Sequence, residues 1–133
     1  MTISFDRLLA SYPTDLHPCS DGWDNQCAIR MSIALVGAGF SFDDYGDPLC
    51  SHNHARGAES LANHLWTRLA RPRIYTDGGS AKGAISGKQG IVFFKDIAGF
   101  RNGTGDHIDL WKPGTMTGEY FSYCRQVWFF DIS

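Results

Sequence analysis

The sequence predicts an α+β domain in which helices come first and a small antiparallel sheet follows. Apolar residues recur at helical spacing up to about residue 70, and beyond residue 73 they gather in short β-branched or aromatic runs between glycine-rich turns. The composition agrees. A chain of 133 residues with 43% hydrophobic and 20% charged residues is long enough to bury its own core, as a single domain over residues 1–133.

The first helix is expected over Ser4 to Tyr12. Ser4 caps it, Phe5, Leu8, Leu9 and Tyr12 share one face, and Pro13 ends it. Residues 13 to 24 read as loop, with Pro13, Pro18 and Gly22 among polar groups. Asn25 or Gln26 opens a second helix whose apolar stripe is Ile29, Ile33 and Val36, flanked by Met31 and Leu35. Gly37 to Gly39 closes it. After a polar loop to about His54, a third helix runs from about Arg56 to Ala70, with Leu61, Leu65 and Leu69 in register and Arg71-Pro72 as its stop. Strands are expected at Ile74-Tyr75, Gly90 to Lys95, His107 to Trp111 and Arg125 to Ile132. "GKQG" at 87–90 lacks the spacing and the hydroxyl residue of a phosphate loop and reads as a turn into a strand.

Charge and hydropathy exclude whole classes. The net charge is 12 − 14 = −2 with acids and bases interspersed, so no basic stripe is available for nucleic acid. No run of about 18 apolar residues suggests membrane insertion. Met1 to Ala10 includes Asp6 and Arg7 and lacks the apolar region of a signal peptide, so the chain is expected to stay in the cytosol or to leave it without a cleaved leader. The cysteines Cys19, Cys27, Cys50 and Cys124 allow up to two disulfides and contain no CxxC. Cys50, His52 and His54 alternate as metal ligands do, but no fourth ligand is evident; a polar loop is the plainer reading, and no metal or cofactor is expected.

The residues that carry chemistry are in "NQCAIRMS" at 25–32. Cys27 stands at the first turn of a helix, where exposed N–H groups and the helix dipole favour a thiolate over a thiol. A buried inert cysteine is the alternative. The second element is "GDHIDLW" at 105–111. In a strand, His107, Asp109 and Trp111 point to one side and Ile108 and Leu110 to the other. A histidine at such a place can serve as general base or merely hold a loop. An early cysteine on a helix with a later histidine on a strand is the papain-type arrangement, and its imidazole needs a polar group to hold the tautomer. Glu119, after "KPGTMTG", and Asp109 are the candidates. Gln26 and Asn25 are near enough in sequence to be considered as second oxyanion donors.

"NQCAIRMSIAL" and "GDHIDLW", eighty positions apart and with "GKQGIVFF" between them, resemble the type VI secretion amidase effectors of family four, an NlpC/P60-like branch of the papain fold. The closing "QVWFF" resembles that family's last strand. The resemblance implies Cys27 as nucleophile, His107 as base and Glu119 as the orienting acid, although Glu stands where the family has Asp and the turn is one residue longer. The hairpin cysteines of the family are absent, since Thr117 and Tyr123 fall near those places, so any disulfide would lie among Cys19, Cys50 and Cys124. The implied reaction is hydrolysis of the γ-D-glutamyl–meso-diaminopimelate amide of peptidoglycan stem peptides. Trp23, Asp24 and Asp109 are the candidates for substrate contact, with core packing or solvation as the alternatives. Arg30 could meet a substrate carboxylate or form an internal salt bridge, and Trp111 is expected in the core. Injection by the secretion apparatus into a competitor's periplasm and a cognate immunity protein follow from the same resemblance. Two other readings compete: a D,D-endopeptidase cutting the diaminopimelate–D-alanine crosslink, and a non-catalytic wall-binding module.

Overall fold

A four-stranded antiparallel sheet in the order β1-β4-β2-β3 divides the protein into two cores. The computed structural model describes residues 3–15, 18–20, 26–46, 49–51, 54–100, 103–112 and 121–132. Its elements are α1 (Phe5–Ser11), α2 (Cys27–Gly37), α3 (Ala58–Arg68), β1 (Arg73–Tyr75), α4 (Gly78–Ile85), β2 (Gly90–Phe100), β3 (Gly103–Trp111) and β4 (Gln126–Asp131). Helices packed on a small antiparallel sheet is the α+β architecture that the sequence predicts.

Strand alternation builds both cores. Ile91 and Phe93, Ile108 and Leu110, and Trp128 and Phe130 face the helices α1 to α3. Val92, Phe94, Trp111, Val127 and Phe129 face the other way, onto Ala81 and Ile85 of α4 and onto Phe121. Because β2 and β4 are covered on both faces, "IVFF" and "VWFF" read as unbroken apolar runs rather than as alternation. Burying each phenylalanine contributes about 1.5–3 kcal/mol, which makes these two strands the energetic centre of the fold.

The helices differ from the expected ones in instructive ways. Ser4 caps α1 by accepting from the Arg7 N–H at 3.4 Å, and Phe5 and Leu8 are buried as expected, but Leu9 is exposed. In α2 the stripe toward the sheet is Ala28, Met31 and Leu35. Ile29 and Ile33 instead lie under Cys19 and Cys50 on another side of the helix, and Val36 is exposed. Ala28 and Ala34 let the helix come close to its neighbours, and closeness rather than side-chain size selects the inner face. Cys19 and Cys50 share one small buried cluster, whereas Cys124 packs with Phe121 on the α4 side of the sheet. The sheet therefore separates Cys124 from the other two.

The helix α4 was not expected. Its sequence, GGSAKGAI, looks like a turn, yet Asp77 precedes it and accepts from the Ser80 hydroxyl at 2.7 Å, while Ala81 and Ile85 bury against the sheet. Tertiary burial here outweighs the poor helix propensity of glycine. A side chain on Gly78 would collide with the Phe121 carbonyl, so this glycine is required by close approach, whereas Gly83 faces open space. Gly78→Ala is expected to cost about 1–3 kcal/mol in urea unfolding and Gly83→Ala to be neutral or stabilising by up to about 1 kcal/mol. Equal effects at the two positions would contradict this packing.

Two further strands run longer than expected. β2 and β3 extend past Lys95 and before His107 as one long hairpin, with register shifts between Phe94 and Ile97 and between Ala98 and Phe100. At the first shift Asp96 adopts a positive φ of 55° and donates its N–H to Asp106 Oδ1 at 2.9 Å. The irregularity lies next to Phe94, the cross-strand partner of His107.

Candidate active site

Two elements bring the chemical groups together. Cys27 is the first residue of α2, and α2 packs on β3, the sheet's edge strand. His107 stands on β3 opposite Phe94, their rings stacked with centroids 6.3 Å apart, and Asp109 follows two residues later on the same face. An edge strand leaves room for a helix N-terminus to reach a strand's side chains, and the Cys27 thiol is hydrogen-bonded to the His107 imidazole. His107 Nε2 lies 3.2 Å from Asp109 Oδ2. Cys27, His107 and Asp109 thus form a continuous chain of hydrogen bonds.

Gln26 sets the position of the sulfur. Its side chain is 2% exposed and grips the Cys19 backbone twice. Oε1 accepts from the Cys19 N–H at 2.8 Å, and Nε2 donates to the Cys19 carbonyl at 2.9 Å. The residue considered as an oxyanion donor is therefore a structural clamp that pins the preceding loop to the start of α2. Further along, the Ser32 hydroxyl accepts from the Ala55 N–H at 3.0 Å and ties the same helix to the segment before α3.

The carboxylate of Asp109 is held inside the protein. Oδ1 accepts from the Tyr12 hydroxyl at 3.0 Å and from the Leu110 N–H at 2.8 Å, while Oδ2 faces His107. Side-chain exposure is 15% for His107 and 20% for Asp109, so their attraction is only partly screened by water. Burial alone would push the His107 pKa down and is the largest influence on it. The hydrogen bonds from Asp109 and Cys27 and the charges of both outweigh burial together and raise it from 6.5 to about 9. For Asp109, burial pushes upward, but His107, Tyr12 and the Leu110 N–H hold its carboxyl below the ordinary 3.8.

These shifts have a sign in stability. The raised His107 contributes stabilisation that is complete below its ordinary 6.5 and is lost as pH rises through about 9. The depressed Asp109 contributes stabilisation that is present above 3.8 and is lost as pH falls below it. Urea midpoints should therefore decline between pH 6.5 and about 9, and His107→Gln should flatten that decline. The amplitude should be about 3 kcal/mol at most. An unchanged slope in His107→Gln would contradict the ion pair.

The other sequence candidates separate. Trp23, Asp24, Asn25, His52 and Glu119 lie outside the described residues. Cys50 Sγ is 3.7 Å from His54 Nδ1. Trp111 is buried in the second core, its Nε1 donating to the Ile85 carbonyl at 2.9 Å, as expected. Arg30 is not in an ion pair among the described residues. Its guanidinium lies 4.7 Å from the Tyr12 ring centroid and donates to the Pro13 carbonyl at 2.8 Å. Sequence reasoning missed Tyr12, which reads as one more apolar-face residue of α1; only its phenol oxygen hinted at a polar partner.

Known proteins share this chain's family pattern and its fold. A family described as type VI secretion system (T6SS), amidase effector protein 4, matches residues 23–130. Among solved structures, the Salmonella typhimurium effector Tae4, from its complex with the immunity protein Tai4, aligns with a TM-score of 0.77 at 18% identity. That alignment covers 100% of both chains. Tae4 from Enterobacter cloacae aligns with a TM-score of 0.72 at 17% identity, covering 100% of this chain and 98% of the other. Salmonella typhimurium Tae4 in complex with Tai4 from Enterobacter cloacae aligns at 0.71, again with 17% identity, over 98% of this chain and 99% of that one. At such identities the likeness concerns the fold. No curated protein sequence matches.

Proposed function

This chain belongs to the family of type VI secretion system amidase effector proteins 4, and on that basis we propose that it is a cysteine amidase cutting the γ-D-glutamyl–meso-diaminopimelate bond of peptidoglycan stem peptides. The observation that carries the proposal is the hydrogen-bonded chain from Cys27 through His107 to Asp109. In this reading Cys27 Sγ attacks the amide carbonyl and the C–S bond forms. First-turn N–H groups of α2, which have no acceptor within the helix, supply positive potential to the developing oxyanion. His107 passes its proton to the leaving amine as the C–N bond breaks, leaving a thioester. Water, deprotonated by His107, then hydrolyses the thioester and restores the thiol and imidazole.

The orienting carboxylate in this scheme is Asp109, because it engages Nε2, and the scheme assigns the other ring nitrogen to the thiol. Glu119, which the resemblance offers for that role, is its competitor. Trp23 and Asp24 are proposed to contact the substrate. Family membership and the immunity complexes of the structural neighbours support delivery into a competitor cell, action on its periplasmic wall, and a cognate immunity protein.

Mass spectrometry of digested sacculi tests the bond. Stem peptides cut after D-glutamate, with the diaminopimelate–D-alanine crosslinks intact, are the expected products. Crosslinked dimers converted to intact monomers would overturn this assignment in favour of a D,D-endopeptidase. An undegraded sacculus would favour a wall-binding module.

A further inference from the structure

We infer that Tyr12 is a positioning residue for the proposed amidase reaction, holding Asp109 so that Asp109 in turn holds His107. The inference rests on the reading of Cys27 and His107 as nucleophile and base. Asp109 has only a short side chain, and its rotation about χ1 and χ2 decides whether Oδ2 meets His107. Two donors fix that rotation from the far oxygen: the Leu110 N–H, which belongs to the strand itself, and the Tyr12 hydroxyl, which comes from 97 positions earlier in the chain. The Leu110 N–H alone can be satisfied by a carboxylate turned away from the ring. The Tyr12 hydroxyl adds the second direction that selects one rotamer.

Tyr12 is itself held by the nucleophile's helix. It follows the last residue of α1, with Pro13 after it. Arg30, three residues beyond Cys27, spreads its guanidinium over the Tyr12 ring and bonds the Pro13 carbonyl. Thus α2 presents the thiol to His107 from one side. Through Arg30 and Tyr12 it also secures the carboxylate on the other side. Burial and the neighbouring Asp109 raise the Tyr12 phenol well above its ordinary 10.0, so the hydroxyl remains a donor at every working pH. A tyrosine serving only to fill space would not need an oxygen there, and phenylalanine would do as well.

The test is Tyr12→Phe, which keeps the ring and the Arg30 contact and removes the donor. Two quantities are read: the His107 titration by NMR without substrate, and kcat and KM on purified stem peptides. The expected result is a fall of about tenfold in kcat with KM unchanged, together with a His107 pKa moving from about 9 toward the ordinary 6.5. The alkaline limb of the activity profile should move by the same amount. An unchanged His107 titration overturns the inference, whether kcat is normal or falls only with the folded fraction. Because the titration needs no turnover, a Tyr12-dependent titration in a protein without amidase activity would strike the amidase reading and leave the positioning role standing.

Discussion

Cys27→Ala is expected to reduce kcat on purified sacculi by at least about 10⁴-fold while costing no more than about 3 kcal/mol of urea stability. On the proposed reading the loss is large because the covalent intermediate forms on Cys27 Sγ. His107 is bonded to the sulfur and Asp109 to His107, so removing the sulfur leaves a base with nothing to activate. The stability cost is limited because only the buried Sγ and its contact with His107 are lost, while the Gln26 clamp and the Ala28–Met31–Leu35 face stay intact. A variant that still clears sacculi at the wild-type rate would end every version of thiol catalysis and restore the wall-binding reading. Serine at this position separates nucleophilicity from shape and should also be nearly inactive, because a hydroxyl is a far poorer nucleophile than a thiol at neutral pH.

The second large effect is at Asp109. Asp109→Asn should lower kcat by about 10²–10³-fold, and Glu119→Gln by no more than about threefold, at matched stability. The asparagine has almost the same shape, but Tyr12 and Leu110 both donate to Oδ1 and so select the amide oxygen for that place. The NH₂ group is then directed at His107 Nε2 and makes it an acceptor. The proton is forced onto the nitrogen that should receive one from Cys27, so the neutral imidazole becomes the wrong tautomer for a base. The lost negative charge also withdraws one cause of the raised His107 pKa, so the alkaline limb should fall from about 9 toward 6.5. The opposite ranking, with Glu119→Gln the more damaging, would transfer the orienting role to Glu119. Both variants should be compared at the same folded fraction, because Asp109 contributes to stability above its own titration range.

Much of the site was legible before the fold was known. The thiol at a helix start and the period-2 placement of His107, Asp109 and Trp111 on one side of a strand are local facts, determined by residue type and backbone geometry. Other features were hidden because they depend on contacts between distant segments. Helix α4 looks like a turn until the sheet is available to bury Ala81 and Ile85, and the inner face of α2 is chosen by how closely Ala28 and Ala34 allow approach. Gln26 shows no sign of its grip on Cys19 in a list of neighbours, since an amide next to a nucleophile suggests an oxyanion donor as readily as a clamp.

Residue order alone carries the α+β class and a family resemblance that the match over residues 23–130 bears out, and it offers Cys27 and His107 as candidates for nucleophilic and acid–base chemistry. Periodicity, capping and motif spacing are short-range properties, and short-range properties are written in the order of residues. The contacts of Asp109 with His107 and of Tyr12 with Asp109 arise only in the folded chain. The edge position of β3 and the packing of α1 against α2 bring residues 12, 27, 107 and 109 to one place, and no local rule encodes that meeting.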